Sequence, residues 1–170
     1  ILASDAATSG IAAQYMAMSY LQMDQPEEAV KAYQTALEID RYRDDLRVKL
    51  GNLYFSQEKY EDARTQYAEA EFRLGEAVFS AARYADAERS YAAVLSAGPQ
   101  SGFGEQAQYK YAWSLFKQGR DEEGNSAFLV LLDGLLAGPE GARPDADLSR
   151  AERELADDAL RALAITFAAG

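Results

Sequence analysis

Neither histidine nor cysteine occurs among the 170 residues. Without histidine, the chain lacks the commonest general base and the commonest metal ligand of proteins. Without cysteine, it lacks disulfides, thiol nucleophiles and thiolate metal sites, although this absence is compatible with reducing and oxidising compartments alike. Serine has no histidine to activate it, so a Ser-His-Asp arrangement is excluded.

Helix-breaking residues and long apolar runs are also scarce. Proline occurs only four times, and the abundant alanine, leucine, glutamate, arginine and glutamine favour helix almost throughout. No apolar run approaches the roughly 20 residues that cross a bilayer, so direct membrane insertion is not expected. The first ten residues, "ILASDAATSG", have no basic segment of the kind that opens a signal peptide. We therefore expect the sequence to be a fragment or a processed form.

Basic side chains are outnumbered by acidic ones, 17 to 28, which gives a formal net charge of −11. A chain this acidic is repelled by phosphate backbones and by anionic lipid surfaces. Nucleic acid is therefore not expected as a partner.

Pairs of adjacent acidic residues are the nearest approach to catalytic groups. They are Asp44–Asp45, Glu27–Glu28 and Asp157–Asp158. Neighbouring residues on a helix do not share a face, so each pair is expected to be solvated surface charge. We predict no catalytic residue, no cofactor and no metal site.

What the sequence does contain is an internal repeat. Small and aromatic residues recur with an offset of 34, the difference between positions 63 and 29. Small residues on both sides of an aromatic lie on one stripe of a helix. They let a neighbouring helix approach closely while the ring fills the gap beside it. The first copy supplies Ala17, Tyr20, Ala29, Tyr33 and Ala36, and the second supplies Gly51, Tyr54, Ala63, Tyr67 and Ala70.

Two further segments continue the pattern, "RLGEAVFSAARYADAERSYAAVLSAGP" and "YKYAWSLFKQGRDEEGNSAF". With them, residues 10–135 resemble the tetratricopeptide repeat (TPR) family. The resemblance implies an all-α fold, a right-handed superhelical solenoid of antiparallel helix pairs that forms one domain over residues 1–170 and ends in a C-terminal capping helix. The expected repeats cover approximately residues 10–41, 44–70, 71–99 and 105–137, and the expected terminal helix covers residues 148–168.

The fourth repeat departs from the family pattern. Asp121 stands where an aromatic residue is usual, and Gly124 replaces the packing alanine. Since glycine costs about 1 kcal/mol relative to alanine in a helix, this helix is expected to be the weakest. After it, Ser149 and Glu152 have the spacing of a capping box at the start of the terminal helix.

The junction of the second and third repeats, "YAEAEFRLGEAVF", breaks the period. Gly75 follows Gly51 by 24 residues, ten short of 34, so helix B of one repeat overlaps helix A of the next. One explanation is a true deletion that fuses the two into a single helix from about Tyr60 to Ala82. The other is that about ten residues are missing from the sequence near residues 70–72. The second is favoured because a restored period would give the stranded packing residues their partners.

In the TPR family the first helix of each pair, helix A, lines a concave groove that holds a peptide or a helix of a partner. Chaperone-binding members hold a C-terminal carboxylate there with Lys, Asn and Arg; only Asn52 matches that pattern, so no carboxylate clamp is expected. The resemblance places the following residues in the groove: Ile11, Gln14, Met18, Leu21, Val48, Asn52, Phe55, Phe72, Glu76, Phe79, Tyr109, Trp113 and Phe116.

The groove wall is aromatic and aliphatic, and two interpretations of it stay open. In one, it binds an apolar or amphipathic segment of a protein or peptide partner, with Tyr109, Trp113 and Phe116 as anchors. In the other, these three rings are core residues that pack between helices or beneath the terminal helix.

The resulting hypothesis is a non-catalytic scaffold or adaptor for protein–protein interaction, with homo-oligomerisation as a further expectation. The fourth repeat and "RAERELADDALRALAITF" are similar to envelope TPR proteins of Gram-negative bacteria, which implies the periplasm or cell envelope; the cytoplasm is the alternative. The alternative function is a regulatory or oligomerisation module of a larger enzyme or of a secretion or polysaccharide-export protein.

Overall fold

Eight helices and one two-stranded hairpin make up the part of the chain that the structure describes. That part of the computed structural model comprises residues 2–98, 102–138, 141–144 and 147–169, with side chains described between residues 9 and 166. The predicted all-α class is confirmed. The elements are α1 (Leu2–Gln22), α2 (Pro26–Ile39), α3 (Asp44–Ser56), α4 (Tyr60–Ser80), α5 (Tyr84–Ser96), α6 (Gly104–Lys117), α7 (Asp121–Leu136), β1 (Ala137–Gly138), β2 (Gly141–Ala142) and α8 (Arg150–Ala169).

The chain divides into two compact units, Ile1–Arg73 and Leu74–Gly170, hereafter the N-terminal and C-terminal units. In the N-terminal unit α1 packs against α2 and α2 against α3. Ala17 and Ala29 are fully buried between α1 and α2, because residues without long side chains let two helix backbones approach closely. Tyr33 fills the adjoining space and is also buried.

Glycine and tyrosine interlock in the same way in both units. A Cβ added to Gly51 would lie 2.6 Å from the ring of Tyr67, and one added to Gly75 would lie 2.7 Å from the ring of Tyr91. Each tyrosine follows its glycine by 16 residues. The rings occupy the space that a side chain at the glycine would need, so the small residue of the repeat pattern is required by close packing.

The turn from helix A to helix B has one geometry throughout. It places Asp24, Glu58, Ala82 and Gly119 at positive φ, between 57° and 74°. The residue after each donates a backbone hydrogen bond to the carbonyl five positions earlier, as Lys59 does to Tyr54 at 3.0 Å. This is the Schellman ending of a helix. The intervals between successive turns are 34, 24 and 37 residues (58 − 24, 82 − 58 and 119 − 82), so the short interval falls between the second and third turns.

The short interval corresponds to one continuous helix. α4 runs from Tyr60 to Ser80, 21 residues, through the "YAEAEFRLGEAVF" junction. In the chain as it stands, α4 therefore serves as helix B of the second repeat and helix A of the third. This is the arrangement that the deletion explanation expects, while a missing segment of about ten residues stays a prediction about a longer sequence.

The core of the C-terminal unit lies between α6, α7 and α8. Phe128 on α7 is fully buried, and Leu131 and Leu135 extend the same stripe. Ala112 on α6 and Ala159 on α8 are buried against it. α8 therefore covers an apolar face of the preceding helix pair, which is the role expected of the terminal helix at residues 148–168.

The C-terminal unit contains the predicted capping box of α8 and the glycine expected to weaken α7. The capping box at α8 is confirmed: the Glu152 amide donates to the Ser149 hydroxyl at 3.2 Å, and the Ser149 amide donates to the Glu152 carboxylate at 2.6 Å. Gly124 does not interrupt α7. A Cβ there would lie 2.7 Å from the ring of Phe116, so the close contact of this ring accounts for the glycine.

Two connecting segments lie on either side of the pair α6 and α7. The one at residues 96–104 includes residues 99–101, outside the described part of the chain, and residue 99 is also the last of the third predicted repeat. The one at residues 137–147 contains the antiparallel pair β1–β2, in which Ala137 pairs with Ala142 and Gly138 with Gly141. This short hairpin was not predicted.

Candidate partner-binding faces

Apolar side chains on the helix A positions of α1 and α3 form an exposed face of the N-terminal unit. We call these five residues the N-terminal face; each is between 41% and 59% exposed. Their steps along each helix put them on one stripe per helix. They are Ile11, Met18, Leu21, Val48 and Phe55.

The two stripes are joined at one end by a hydrogen bond. Arg43, which precedes α3, donates from Nη2 to the Oε1 atom of Gln14 on α1 at 2.8 Å. Arg43 is itself held by Asp45, whose two carboxylate oxygens lie 2.8 Å from Nε and Nη2. The polar contact fixes one end of the face, and the apolar residues remain in contact with solvent.

Two of the polar residues predicted for the groove, Asn52 and Glu76, bind the tyrosines that pack on the neighbouring glycines. The Tyr67 hydroxyl donates to Asn52, and the Tyr91 hydroxyl donates to Glu76, both at 2.7 Å. Burial and this hydrogen bond to a carboxylate raise the pKa of Tyr91. Asn52 and Glu76 therefore hold helix B against helix A, a role that the residue pattern did not reveal.

A cation that the sequence analysis missed lies beside Glu76 in the C-terminal unit. The ammonium group of Lys110 on α6 is 3.1 Å from the Glu76 carboxylate and 5.3 Å from the centre of the Phe79 ring. Lys110 thus adjoins two residues, Glu76 and Phe79, that the resemblance places in the groove. The sequence does show a cation at this point, because Lys110 follows the predicted groove residue Tyr109 directly. The direction in which the Lys110 side chain points, however, depends on the packing of α6 against α4.

Three of the four aromatic residues of α6 surround Phe128. The ring centres of Tyr109, Trp113 and Phe116 lie 5.9, 5.7 and 5.6 Å from that of Phe128. All three are partly buried against the core of the C-terminal unit. The Tyr109 hydroxyl also lies 3.5 Å from Asp158 on α8. This is the packing that the core interpretation expects, and a role as partner anchors stays a prediction.

Phe72, the remaining residue predicted to line the groove, lies on α4 and is half-buried. Sequence reasoning thus placed its candidates on the expected helices but did not separate the exposed ones from the packed ones. The exposed large apolar candidates with described side chains belong to α1 and α3.

A polar cluster between α3 and α4 was also missed. The guanidinium of Arg47, 6% exposed, lies 2.7 Å from Glu69 and donates to the Arg41 carbonyl at 2.6 Å. Arg73 binds the same Glu69 oxygen at 3.0 Å. Burial lowers the pKa of Arg47 and raises the pKa of the neighbouring Asp44 carboxyl. Asp44 is half-buried rather than a freely solvated charge.

Neither a membrane-spanning helix nor a metal-binding cluster occurs among the described residues. No helix within them combines the length and apolarity needed to cross a membrane. Nor do they contain three or more acidic side chains grouped as a metal ion would require.

The described helices form pairs in which a small residue packs against an aromatic ring, and one recurring turn joins the two helices of a pair. This arrangement defines an α-helical repeat protein. Two family models described as tetratricopeptide repeat match the chain, one over residues 20–73 and the other over residues 72–135. The chain belongs to the tetratricopeptide repeat family, as its sequence indicated, and it is a protein–protein interaction module of that family.

Comparison with individual proteins adds little. No curated protein matches the chain. Among the solved structures, "MamA AMB-1 P212121" is 20% identical with a TM-score of 0.40, and the alignment covers 75% of this chain and 74% of that chain. "Crystal structure of MamA protein" is also 20% identical with a TM-score of 0.43, covering 80% of this chain and 79% of that one. Neither likeness bears on what this chain binds.

Proposed function

We propose that the chain is a non-catalytic adaptor and that its N-terminal face binds an apolar or amphipathic segment of a protein partner. The observation that carries the proposal is the exposure of five large apolar side chains on the helix A stripes of α1 and α3. Exposed apolar residues that share a stripe of a helix mark interaction sites more often than isolated ones do. The net charge of −11 favours a partner segment that carries basic residues beside its apolar ones.

In this proposal the anchor residues lie on α1 and α3 rather than on α6. Phe55 is the most exposed residue of the N-terminal face, and its ring meets Tyr60 edge-on with centres 5.3 Å apart. Trp113 already has protein neighbours on α6 and α7. A partner would gain more buried area from Phe55 and Met18 than from Trp113, since apolar burial contributes roughly 25 cal/mol per Å².

Two methionines on α1 provide a matched test. Met18 belongs to the N-terminal face, and Met16, two residues earlier, points to another side of the helix because residues two apart do not share a face. Both are exposed, so Met18→Glu and Met16→Glu add the same charge at similar solvent contact. Affinity capture from an extract of the native organism, followed by direct binding with the purified partner, compares the two variants.

Met18→Glu is expected to lose at least one partner that Met16→Glu retains, because the new carboxylate would be buried against an apolar segment. Circular dichroism should show both variants folded. Equal capture by both variants would contradict the assignment of the N-terminal face. Loss of the same partner in Trp113→Ala, without unfolding, would place the anchor on α6 instead.

The setting that we propose is a bacterial cell-envelope complex in the periplasm. Its support is the similarity of the fourth repeat and the α8 sequence to envelope TPR proteins, and the absence of cysteine is compatible with an oxidising compartment. Separation of periplasmic, membrane and cytoplasmic fractions of the native organism, probed with an antibody to this chain, tests it. Recovery only in the cytoplasmic fraction would overturn the proposed setting but leave the adaptor function in place.

A further inference from the structure

All the sulfur of this chain lies in three methionines on α1. They are Met16, Met18 and Met23, and the chain has no cysteine. Methionine commonly fills gaps in protein cores, but here the three side chains are 53%, 41% and 56% exposed. The thioethers of the protein therefore contact solvent within one short stretch of one helix.

The three methionines lie on two sides of α1. Ala13 and Ala17 are buried and mark the side of the helix that packs against α2. Met18 belongs to the N-terminal face. Met16 and Met23 are seven residues apart, about two helical turns, so they share a stripe, and this stripe is not that of Met18 because residues two apart do not share a face. One sulfur thus lies on the face proposed to bind a partner, and two others lie off it at similar exposure.

The surroundings of Met18 on α1 are uncharged. Residues 6–23 contain no aspartate, glutamate, lysine or arginine, and Ile11 and Leu21 accompany Met18 on the N-terminal face. The Gln14 side chain, one turn before Met18, already accepts a hydrogen bond from Arg43 at 2.8 Å. Within this stretch, a polar atom formed on Met18 has no charged side chain to pair with.

Oxidation is a chemical change that an exposed thioether undergoes without a catalyst. When hydrogen peroxide is the oxidant, a sulfur lone pair forms the new S–O bond while the O–O bond breaks. The proton of the transferred oxygen passes to the departing hydroxide, which leaves as water. Sulfur is oxidised by two electrons, and the peroxide is reduced by two. The product, methionine sulfoxide, is polar where the thioether is apolar.

From these observations we infer that Met18 is a modification site, at which a peroxide converts the thioether to the sulfoxide and thereby releases the segment bound to the N-terminal face. The inference rests on the proposed function, because it assigns a means of regulation to that same face. A sulfoxide oxygen on Met18, covered by an apolar segment, loses its hydrogen bonds to water. The same oxygen on Met16 or Met23 stays in water, so the effect on binding comes from one sulfur of the three.

The test uses an amphipathic leucine–lysine peptide, which contains no sulfur, as the probe of the N-terminal face. Wild type is compared with Met18→Leu and with the double variant Met16→Leu/Met23→Leu, which keeps only Met18 of the three. Isothermal titration calorimetry gives the affinity of each chain before and after treatment with hydrogen peroxide, so each chain is its own reference. NMR spectra of methionine methyl groups labelled with carbon-13 show which sulfur is oxidised and which one lies beside the peptide.

Peroxide is expected to oxidise all three methionines of the folded wild type, because susceptibility follows exposure. The affinity for the peptide should fall by roughly tenfold or more, the factor expected when a polar group is buried without a hydrogen bond. The double variant should lose as much, whereas Met18→Leu should keep its own untreated affinity. The two methionine sulfoxide reductases, one for each sulfoxide epimer, should restore binding by the oxidised double variant, and circular dichroism should show the helices intact throughout.

Two kinds of failure are distinguishable in this experiment. If untreated wild type does not bind the peptide, or binds it without a change in the Met18 methyl signal, the proposed function fails and the inference fails with it. If the peptide binds beside Met18 but the double variant keeps its affinity after oxidation, the inference alone is overturned. The same holds if Met18 resists peroxide in the folded chain but not in urea, if Met18→Leu loses as much affinity as wild type, or if oxidation unfolds the double variant.

Discussion

At the scale of single residues, glycine has three different roles in this chain. At Gly51, Gly75 and Gly124 an aromatic ring occupies the place of a side chain. Gly119 instead has positive φ with open space around it. Among the described residues, Gly134 has neither a ring at the place of its side chain nor a positive φ, and it lines a cavity. Each role predicts a different response to the same substitution by alanine.

Gly75→Ala and Gly134→Ala should change stability in opposite directions. The new methyl group at residue 75 would lie 2.7 Å from the ring of Tyr91, which is fully buried and held by Glu76, so relief of the clash is expected to cost about 1–3 kcal/mol. At residue 134 no described atom lies within 4 Å of the new methyl group, and better helix propensity should contribute about 1 kcal/mol. Urea unfolding followed by circular dichroism measures both. A Gly75→Ala variant as stable as wild type would show that Tyr91 can move.

The recurring turn from helix A to helix B allows a second pair of substitutions to be compared. Ala82 has φ of 58°, a left-handed conformation that disfavours a Cβ, while Gly119 occupies the equivalent position with φ of 74°. Ala82→Gly is expected to stabilise the protein and Gly119→Ala to destabilise it, each by about 1 kcal/mol. Thermal melting tests the signs. A lower melting temperature for Ala82→Gly would mean that the added freedom of the unfolded chain outweighs the relieved strain.

At the scale of elements, α4 is the unusual helix because it belongs to two repeats at once. Its first half packs Tyr67 on Gly51 of α3, and its second half places Gly75 beneath Tyr91 of α5. One continuous helix thereby satisfies both glycine–tyrosine contacts with ten residues fewer than the family period requires. The polar cluster of Arg47, Glu69 and Arg73 adds contacts between α3 and α4 shortly before the second half begins.

Glu71→Pro tests the continuity of α4. Proline in a helix interior removes a hydrogen bond and clashes with the preceding turn, at a cost of about 3 kcal/mol or more. We expect a large loss of stability relative to Glu71→Ala, which keeps the helix and removes the same carboxylate. Chemical denaturation of the two variants gives the difference. If Glu71→Pro is as stable as Glu71→Ala, residues 70–72 do not form a helix in solution, and an interrupted junction becomes the better description.

The start of α8 provides a prediction about pH. The hydrogen bond from Arg143, with those from Ser149, lowers the pKa of Glu152 from its ordinary 4.5 to about 2. Because the folded pKa is the lower one, the stability contributed by the charged carboxylate is present above about pH 4.5 and is lost as the pH falls towards 2. Glu152→Gln lacks this contribution at every pH while its amide preserves the capping box.

The stability difference between wild type and Glu152→Gln should therefore shrink between pH 5 and pH 3. Urea midpoints at several pH values in this window measure it. Glu154→Gln, which alters an exposed carboxylate on the same helix, is the control and should show a weaker trend. A difference that stays constant down to pH 3 would rule out the Arg143 contact as the source.

At the scale of the whole molecule, acidic side chains outnumber basic ones and give a net charge of −11. Many of the pairs join exposed side chains three or four residues apart on one helix, as Lys31 and Glu28 do. Such pairs contribute little to stability, whereas a uniform excess of negative charge destabilises the compact state.

Salt should therefore stabilise this protein. Raising the ionic strength from a few millimolar to about 0.15 M shortens the Debye length to about 8 Å and screens the repulsion between distant carboxylates. We expect the melting temperature to rise over this range, as differential scanning calorimetry can measure. A falling melting temperature would show that local ion pairs outweigh the excess of negative charge.

Several features of the molecule could be predicted from residue order. Recurring alanine, glycine and tyrosine indicated paired helices, because a small residue opposite an aromatic has meaning only where two helices touch. Ser149 and Glu152 indicated the start of α8, since a capping box is a local interaction. The junction could be narrowed to two explanations but not resolved, because helix propensity is similar for a fused helix and for two helices with a missing connection.

The candidate site could be predicted only in part. The positions on each helix A followed from the family pattern, but their exposure did not. Phe55 and Trp113 occupy equivalent stripes; one contacts solvent and the other contacts Phe128. Asn52 and Glu76 likewise looked like free polar groups until their tyrosine partners were known.

The sequence alone thus determined the helices and their pairing, because these depend on short-range spacing and on residue types. The tertiary structure decided which apolar side chains face solvent, which acids bind tyrosines, and that Gly134 borders a cavity. Those properties depend on neighbours distant in sequence, and exposure is fixed only when every nearby helix is in place.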